Sequence, residues 1–218
     1  STFTVDTEAP AAPVIIAPAD GSQIKDTTPE ITGTGEPGAT VTVSVDGTEL
    51  GDVVVDGDGN WSIPVPDPLV DGEHLVTATQ TDPAGNQSGP SAGFTVVVDS
   101  VSATPVITNV TDNVGNAATT VVSGELTNDA TPTLTGTADA NSVVTLFDGD
   151  TQIAVVTADN TGTWTFTPDT ALGEGSHSFT VRATDPLGNV SAVSAPWSVV
   201  VDLTAPTVPT LDNVSDNV

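Results

Sequence analysis

Short apolar runs separated by turn residues recur along the whole chain. In Thr40-Val41-Thr42-Val43-Ser44-Val45 the three valines take alternate positions. Phe179, Val181 and Ala183 alternate in the same way with Ser178, Thr180 and Arg182. A period of two puts one set of side chains on each face of a strand. The runs are rich in Thr and β-branched residues, with turn residues about every 8–12 positions, which is the spacing of an all-β sandwich. In the first half the pattern predicts strands near 13–17, 29–35, 40–46, 51–55, 60–66, 73–81 and 93–99. No stretch combines a helical period with a good cap. Trp61 with Ile63, and Trp164 with Phe166, are the expected core anchors. Asp46-Gly47 and Asp148-Gly149 sit between apolar runs and suit tight hairpins. Pro29 and Pro132 suit the opening residue of the second strand, where a missing N–H is tolerated.

The pattern also repeats. Thr28-Pro29-Glu30-Ile31-Thr32-Gly33-Thr34 returns as Thr131-Pro132-Thr133-Leu134-Thr135-Gly136-Thr137, an offset of 103 residues. At that offset Gly59 and Trp61 match Gly162 and Trp164, and His74 matches His177. Thr81-Asp82-Pro83-Ala84-Gly85-Asn86 matches Thr184-Asp185-Pro186-Leu187-Gly188-Asn189. Residues 1–6 read as the tail of a preceding repeat, 7–99 as repeat 1 and 100–202 as repeat 2. Residues 203–218 read as a linker and the start of a truncated third repeat, because 210–217 resembles 107–113. With a start at Ser1 and no Met, this suggests a piece of a tandem array. Repeat 2 is longer in its first connection, at 109–129, where insertions are well tolerated. Pro10, Pro13, Pro105, Pro206 and Pro209 make the junctions short and extended.

Composition narrows the function classes. The chain is 37% hydrophobic with 20 Gly among 218 residues, as expected of a folded domain. It has no Cys, hence no disulfide and no thiolate metal site. It has no basic start followed by an apolar stretch, so no signal peptide is read, and no apolar run of about 18 residues, so no membrane insertion is expected. Against 29 Asp and Glu stand only Lys25 and Arg182, for a net charge of −27. Nucleic acid is excluded as a partner, since binding it requires cations against phosphate, and so is an anionic membrane surface. Charge this uncompensated opposes a compact state, and bound cations would relieve it.

The junctions of the form V-D-x-x-x-P, the T-P-x-[IL]-T-G-T and G-x-W motifs, and T-D-P-x-G-N-x-S before the last strand are carried in order and twice. In this the chain resembles the bacterial Ig-like repeats of giant secreted surface adhesins and biofilm-associated proteins. The resemblance covers essentially its whole length. It implies tandem Ig-like sandwiches set end to end, export by type I secretion, a place on the bacterial cell surface, and calcium at the domain junctions. Neighbouring repeats of the same chain and calcium ions are then the expected partners, in a monomer.

In an Ig-like sandwich the loops gather at two ends. The loops after the second and fourth strands and before the last share the end at which the linker enters. In repeat 2 they carry Asp139, Asp159 and Asp185, and the linker brings Asp99. The repeat 1 equivalents are Glu36, Asp56, Asp82 and Asp6, and Asp202 holds the same position at the following junction. Calcium takes six to eight oxygens from carboxylates, carbonyls and water, and such loops offer both. A second candidate group at the opposite end comprises Asp112, Asp129 and Asp148, with Asp20, Asp26 and Asp46 as counterparts. There Asp also serves turn geometry.

Other chemistry fits less well. Asp56-Gly57-Asp58-Gly59-Asn60 resembles the start of an EF-hand loop, but Trp61 stands where that loop needs Gly. Zinc is disfavoured with one His per repeat. His74 and His177 share a repeat position, which favours a structural role over a catalytic one. No nucleophile elbow, phosphate loop or dinucleotide fingerprint occurs, so the chain is read as non-enzymatic. The leading expectation is a structural extender segment of an adhesin, stiffened by calcium. A glycan- or host-protein-binding Ig-like module, or an accessory domain of a secreted polysaccharide-active enzyme, is the alternative. Exposed aromatics on one face would favour that alternative.

Overall fold

A computed structural model describes residues 5–115 and 118–210. The repeat start read at 210–217 lies outside them except for Thr210, as do residues 1–4. The chain divides into two compact units, one essentially 1–101 and the other essentially 102–218, with residues 187–189 grouped with the first. Both are all-β.

In the first unit β1 (Val14–Ala17), β3 (Glu30–Thr34) and β6 (Asn60–Pro64) form a three-stranded sheet in the order β1-β3-β6. The facing sheet has the order β2-β8-β7-β4-β5, with β2 (Ser22–Ile24), β4 (Thr40–Val45), β5 (Thr48–Val54), β7 (Gly72–Thr81) and β8 (Phe94–Val98). All pairs are antiparallel except β2 with β8. The alternation seen in 40–45 is real: Val41, Val43 and Val45 are buried. They meet Ile31, Trp61, Val76, Phe94 and Val96 in the core between the sheets.

The second unit repeats this plan. Its smaller sheet runs β10-β9-β12-β15, with β9 (Val106–Asp112), β10 (Thr119–Thr120), β12 (Thr133–Thr137) and β15 (Thr163–Phe166). Its larger sheet runs β11-β17-β16-β13-β14, with β11 (Leu126–Thr127), β13 (Val143–Asp148), β14 (Thr151–Thr157), β16 (Gly175–Thr184) and β17 (Trp197–Val201). The longer first connection appears as an extended β9 and the added strand β10, paired antiparallel through Thr119 and Asp112. Trp61 and Trp164, at 3% and 1% exposure, hold equivalent core positions.

The recurrent T-G-T and G-x-W motifs are two halves of one contact. A Cβ on Gly33 would overlap the Val14 carbonyl and the Trp61 ring; on Gly136 it would overlap the Val106 carbonyl and the Trp164 ring. The indole therefore lies on bare backbone of the neighbouring strand, to which Gly33 pairs across from Trp61 and Gly136 across from Trp164.

Three details differ from the sequence reading. Pro29 and Pro132 immediately precede their strands rather than opening them. The fifth strand starts at Thr48, directly after the Asp46-Gly47 turn, not at 51. β2 and β11 were not foreseen, because strands of three and two residues are too short to display alternation.

Candidate functional site

The loops after β3, β5 and β7 of the first unit lie together at the end where residues 5–11 enter. Gln80, on β7 and almost fully buried, accepts the Glu36 amide at Oε1 (2.9 Å) and donates through Nε2 to the Ala11 carbonyl (2.6 Å). Asn86 donates from Nδ2 to Asp82 Oδ2 (2.8 Å) and to the Asp6 carbonyl (3.3 Å). The incoming segment is thus tied down at two points. The result is a cleft of about 260 Å³ lined by Asp6, Glu8, Ala9, Pro10, Ala11, Glu36 and Asp82. Three of the carboxylates expected from the sequence, Asp6, Glu36 and Asp82, share it, and Glu8 joins them.

In the next repeat the asparagine tie recurs, Asn189 donating from Nδ2 to the Asp99 carbonyl (2.8 Å), but the other tie differs. Asp139 accepts the Ala103 amide at 2.8 Å and the Ser102 hydroxyl at 3.4 Å. Counting from Asp6 and Asp99, the first-unit counterpart of Ala103 is Pro10, which has no N–H to give. Counting by the repeat, Gln80 corresponds to Ala183. So a glutamine takes over in the first unit what an aspartate does in the second, and the Glu36 carboxylate has no protein donor among the described residues. Gln80 and Asn86 were missed as site residues. Asn86 lies in a recurrent motif that could have exposed it; Gln80, absent from repeat 2, gave no signal.

The remaining predicted residues are placed as follows. Asp185 is buried at 8% exposure in the second unit. Asp99 belongs to the first, where its amide bonds the Ile24 carbonyl. Asp202 accepts the Thr204 amide and bonds Thr127 through its own. Asp56 and Asp159 close their own turns, Asp159 Oδ1 taking the amides of Thr161 and Thr163. Of the second candidate group, Asp112 and Asp129 come together. Asp129 takes the amides of Asn113 (2.7 Å) and Thr131 (2.8 Å), and Asp112 takes the Thr127 hydroxyl and the Val114 amide. Asp148 is engaged elsewhere, with His177. Asp20 and Asp26 accept the amides of Thr95 and Thr28, and Asp46 pairs with His74.

The electrostatics of the first-unit cleft follow from these bonds. The Asn86 side chain holds the Asp82 carboxyl below its ordinary pKa; burial opposes this, and the amides of Asn86, Ala84 and Gly85 reinforce it. Asp82 is therefore an anion at neutral pH. An all-oxygen donor set of carboxylates and loop carbonyls suits a hard cation such as calcium and does not suit zinc. Among the described residues no three His, Cys, Asp or Glu side chains are gathered tightly enough to hold a metal by themselves. A cation here would take the rest of its shell from backbone carbonyls and water.

Neither histidine faces a hydroxyl nucleophile. In each, one ring nitrogen meets an aspartate and the other a backbone carbonyl. Every aromatic ring among the described residues is buried or half-buried, so no stacking platform is presented. Among the described residues no helix is long and apolar enough to cross a membrane.

The chain was also compared with known proteins. Similar solved structures include a biofilm-associated protein BSP domain, at 24% identity over 89% of this chain and 30% of that one, with a TM-score of 0.33. The tetra-tandem repeat in the extending region of a large adhesion protein shows 22% identity over 90% of this chain and 50% of that one, at a TM-score of 0.36. The fibronectin(III)-like modules of Clostridium thermocellum CbhA show 18% identity over 91% of this chain and 100% of that one, with a TM-score of 0.40. The chain thus spans less than a third of the biofilm-associated structure and half of the adhesion-protein repeat. No curated protein matches it. The family model described as bacterial Ig-like domain matches twice, at residues 17–100 and 105–203, which is most of the chain. The chain belongs to the bacterial Ig-like domain family, of which it carries two copies in tandem.

Proposed function

We propose that this chain is a structural extender segment of a bacterial surface adhesin, with calcium held where the linker enters each repeat. The observation that carries the reading is the first-unit cleft, where the incoming Asp6 and Glu8 share the lining with Glu36 and Asp82 and no basic side chain lines it. In the repeat, Asp99, Asp139 and Asp185 are the corresponding residues of the next junction, and Asp202 begins the one after. The tandem Ig-like copies, the net charge of −27 and the buried aromatic rings support the same reading. For a second ion only Asp112 and Asp129 come together, with protein donors already on their oxygens, while Asp148 is engaged by His177 and Ser178.

Calcium would supply positive charge between the linker carboxylate and the loop carboxylates, which otherwise repel one another. The residues of each junction would then limit the bending of the array, and a stiff array carries a distant tip away from the cell surface. Extracellular sites of this kind need only weak affinity, in the range of about 10⁻⁴–10⁻³ M, to fill after export and stay empty before it. Small-angle scattering of the chelated and calcium-loaded chain tests the stiffening. Calcium is expected to narrow the distribution of dimensions, and Asp99→Ala to remove most of that change. An unchanged maximum dimension and flexibility would mean that the junction prolines alone set the geometry.

A further inference from the structure

An edge strand exposes a row of unpaired N–H and C=O groups, and stable monomers blunt such edges with charge, proline, bulges or shortness. Among the described residues most edges carry one of these devices. β1 has four residues, set between Pro13 and Pro18. β6 ends on Pro64, and β2, β10 and β11 have three, two and two residues. β15 has four, with Pro168 two residues beyond it. That leaves the outer strands of the two larger sheets, β5 and β14, each of seven residues.

These two are the same strand in successive repeats, and they differ. Glu49, Gly51 and Asp52 of β5 become Gln152, Ala154 and Val155 of β14. Both carboxylates are lost, and so is the glycine, which weakens a strand because it packs nothing. Asp52 is exposed and accepts the Thr42 hydroxyl at 2.6 Å. In its place Val155 lies opposite Thr145 with 53% of its surface exposed. On the other face Ala154 and Val156 lie opposite the core residues Leu146 and Val144. Each strand keeps one bulge, at Leu50 and at Ile153, so the bulge does not separate them. β14 contains neither charge nor proline, in a chain of net charge −27.

We propose that β14 is a homotypic docking edge, which pairs antiparallel with β14 of a second copy of this chain and joins the two larger sheets. The occupant follows from charge. Two chains this acidic repel wherever carboxylates face one another, and among the described residues β14 is the one long edge that carries none. Its β-branched residues also favour pairing. A two-fold axis beside Val155 sets the register. Val155 then meets Val155 of the second copy on the solvent face, and Ala154 meets Val156 on the core face. Asp150 falls opposite Asn160 and Asp159 opposite Thr151, so no two carboxylates are directly opposed. The charge elsewhere on each copy makes the contact weak and dependent on salt, since it is felt over about 30 Å at 0.01 M and about 8 Å at 0.15 M ionic strength. A weak, concentration-dependent dimer thus takes the place of the monomer expected from the family resemblance.

Sedimentation velocity of the whole chain tests this, with chelator present throughout so that calcium plays no part. At about 0.15 M salt the sedimentation coefficient should rise between micromolar and millimolar protein, and at about 0.01 M salt it should not. Val155→Asp restores the repeat 1 residue and sets two carboxylates against each other across the axis. It should weaken the dimer about tenfold or more. Val190→Asp adds the same charge at an exposed position bridged to Thr184, on the side of β16 away from β14, and should associate nearly as the wild type does. Amide hydrogen exchange locates the contact: it should slow with rising concentration at 154–157 and stay constant at 51–54. A wild type that remains monomeric at about 0.15 M salt overturns the proposal and leaves the edge to a strand of another protein. A Val155→Asp chain that associates as well as Val190→Asp, or exchange that slows equally in β5 and β14, overturns it too.

Discussion

At Gly33 and Gly136 the absent side chain is the functional one, because the indole of Trp61 or Trp164 occupies its place. Gly33→Ala must displace either a large buried ring or the backbone of β1, and overpacking of this kind costs about 1–3 kcal/mol. Gly57, whose Cβ would meet nothing within 4 Å, is the control: Gly57→Ala should leave stability nearly unchanged. Urea unfolding of the two variants measures the difference, and equal midpoints would refute the contact. The sequence showed both T-G-T and G-x-W as recurrent motifs and marked the tryptophans as core anchors. It could not show that the two motifs touch, since the contact is across strands and 28 residues apart in each repeat. Gln80 was invisible for a different reason: its bonds to Glu36 and Ala11 belong to repeat 1 alone, so no repetition pointed to it.

Among the elements, β7 and β16 show what alternation reveals and what it hides. Their buried positions were legible from Phe179, Val181 and Ala183. Their last few residues run past the pairing with β8 and β17, which ends at Val76 and Phe179. There serines take the place of a strand. Ser91 Oγ accepts the Ala78 amide (3.0 Å) and Ser88 Oγ accepts the Gln80 amide (3.0 Å), while the two serine amides bond the carbonyls of the same residues. Ser194 and Ser191 do the same for Val181 and Ala183. This is the physical reason for the closing Ser of T-D-P-x-G-N-x-S, and in sequence it looks like an ordinary loop. Ser91→Ala removes the acceptor from a buried amide, which costs about 1–3 kcal/mol. Denaturant unfolding should show that loss, and Ser91→Thr should recover part of it. A neutral Ser91→Ala would mean that the amide has another partner.

For the molecule as a whole, the tandem repeat was the most legible feature, because two copies with shared motifs and different connections report the same fold twice. The linker carboxylates were legible as a group, since sandwich topology sends alternate loops to one end, and Asp6, Glu36 and Asp82 do line one cleft. Which aspartates serve turns was not legible. Asp56, Asp112 and Asp129 accept amides of nearby residues just as the cleft residues Asp6 and Asp82 do, from Glu8 and Asn86, and only the placement of their loops separates the two sets. The account's central claim is that the cleft takes calcium, and calorimetric titration of the chelator-stripped chain tests it most directly. The predicted result is saturable calcium binding at about 10⁻⁴–10⁻³ M, weakened in Glu36→Gln, whose carboxylate bonds no other part of the described chain. Absence of saturable heat, or a Glu36→Gln isotherm that overlays the wild type, would contradict it.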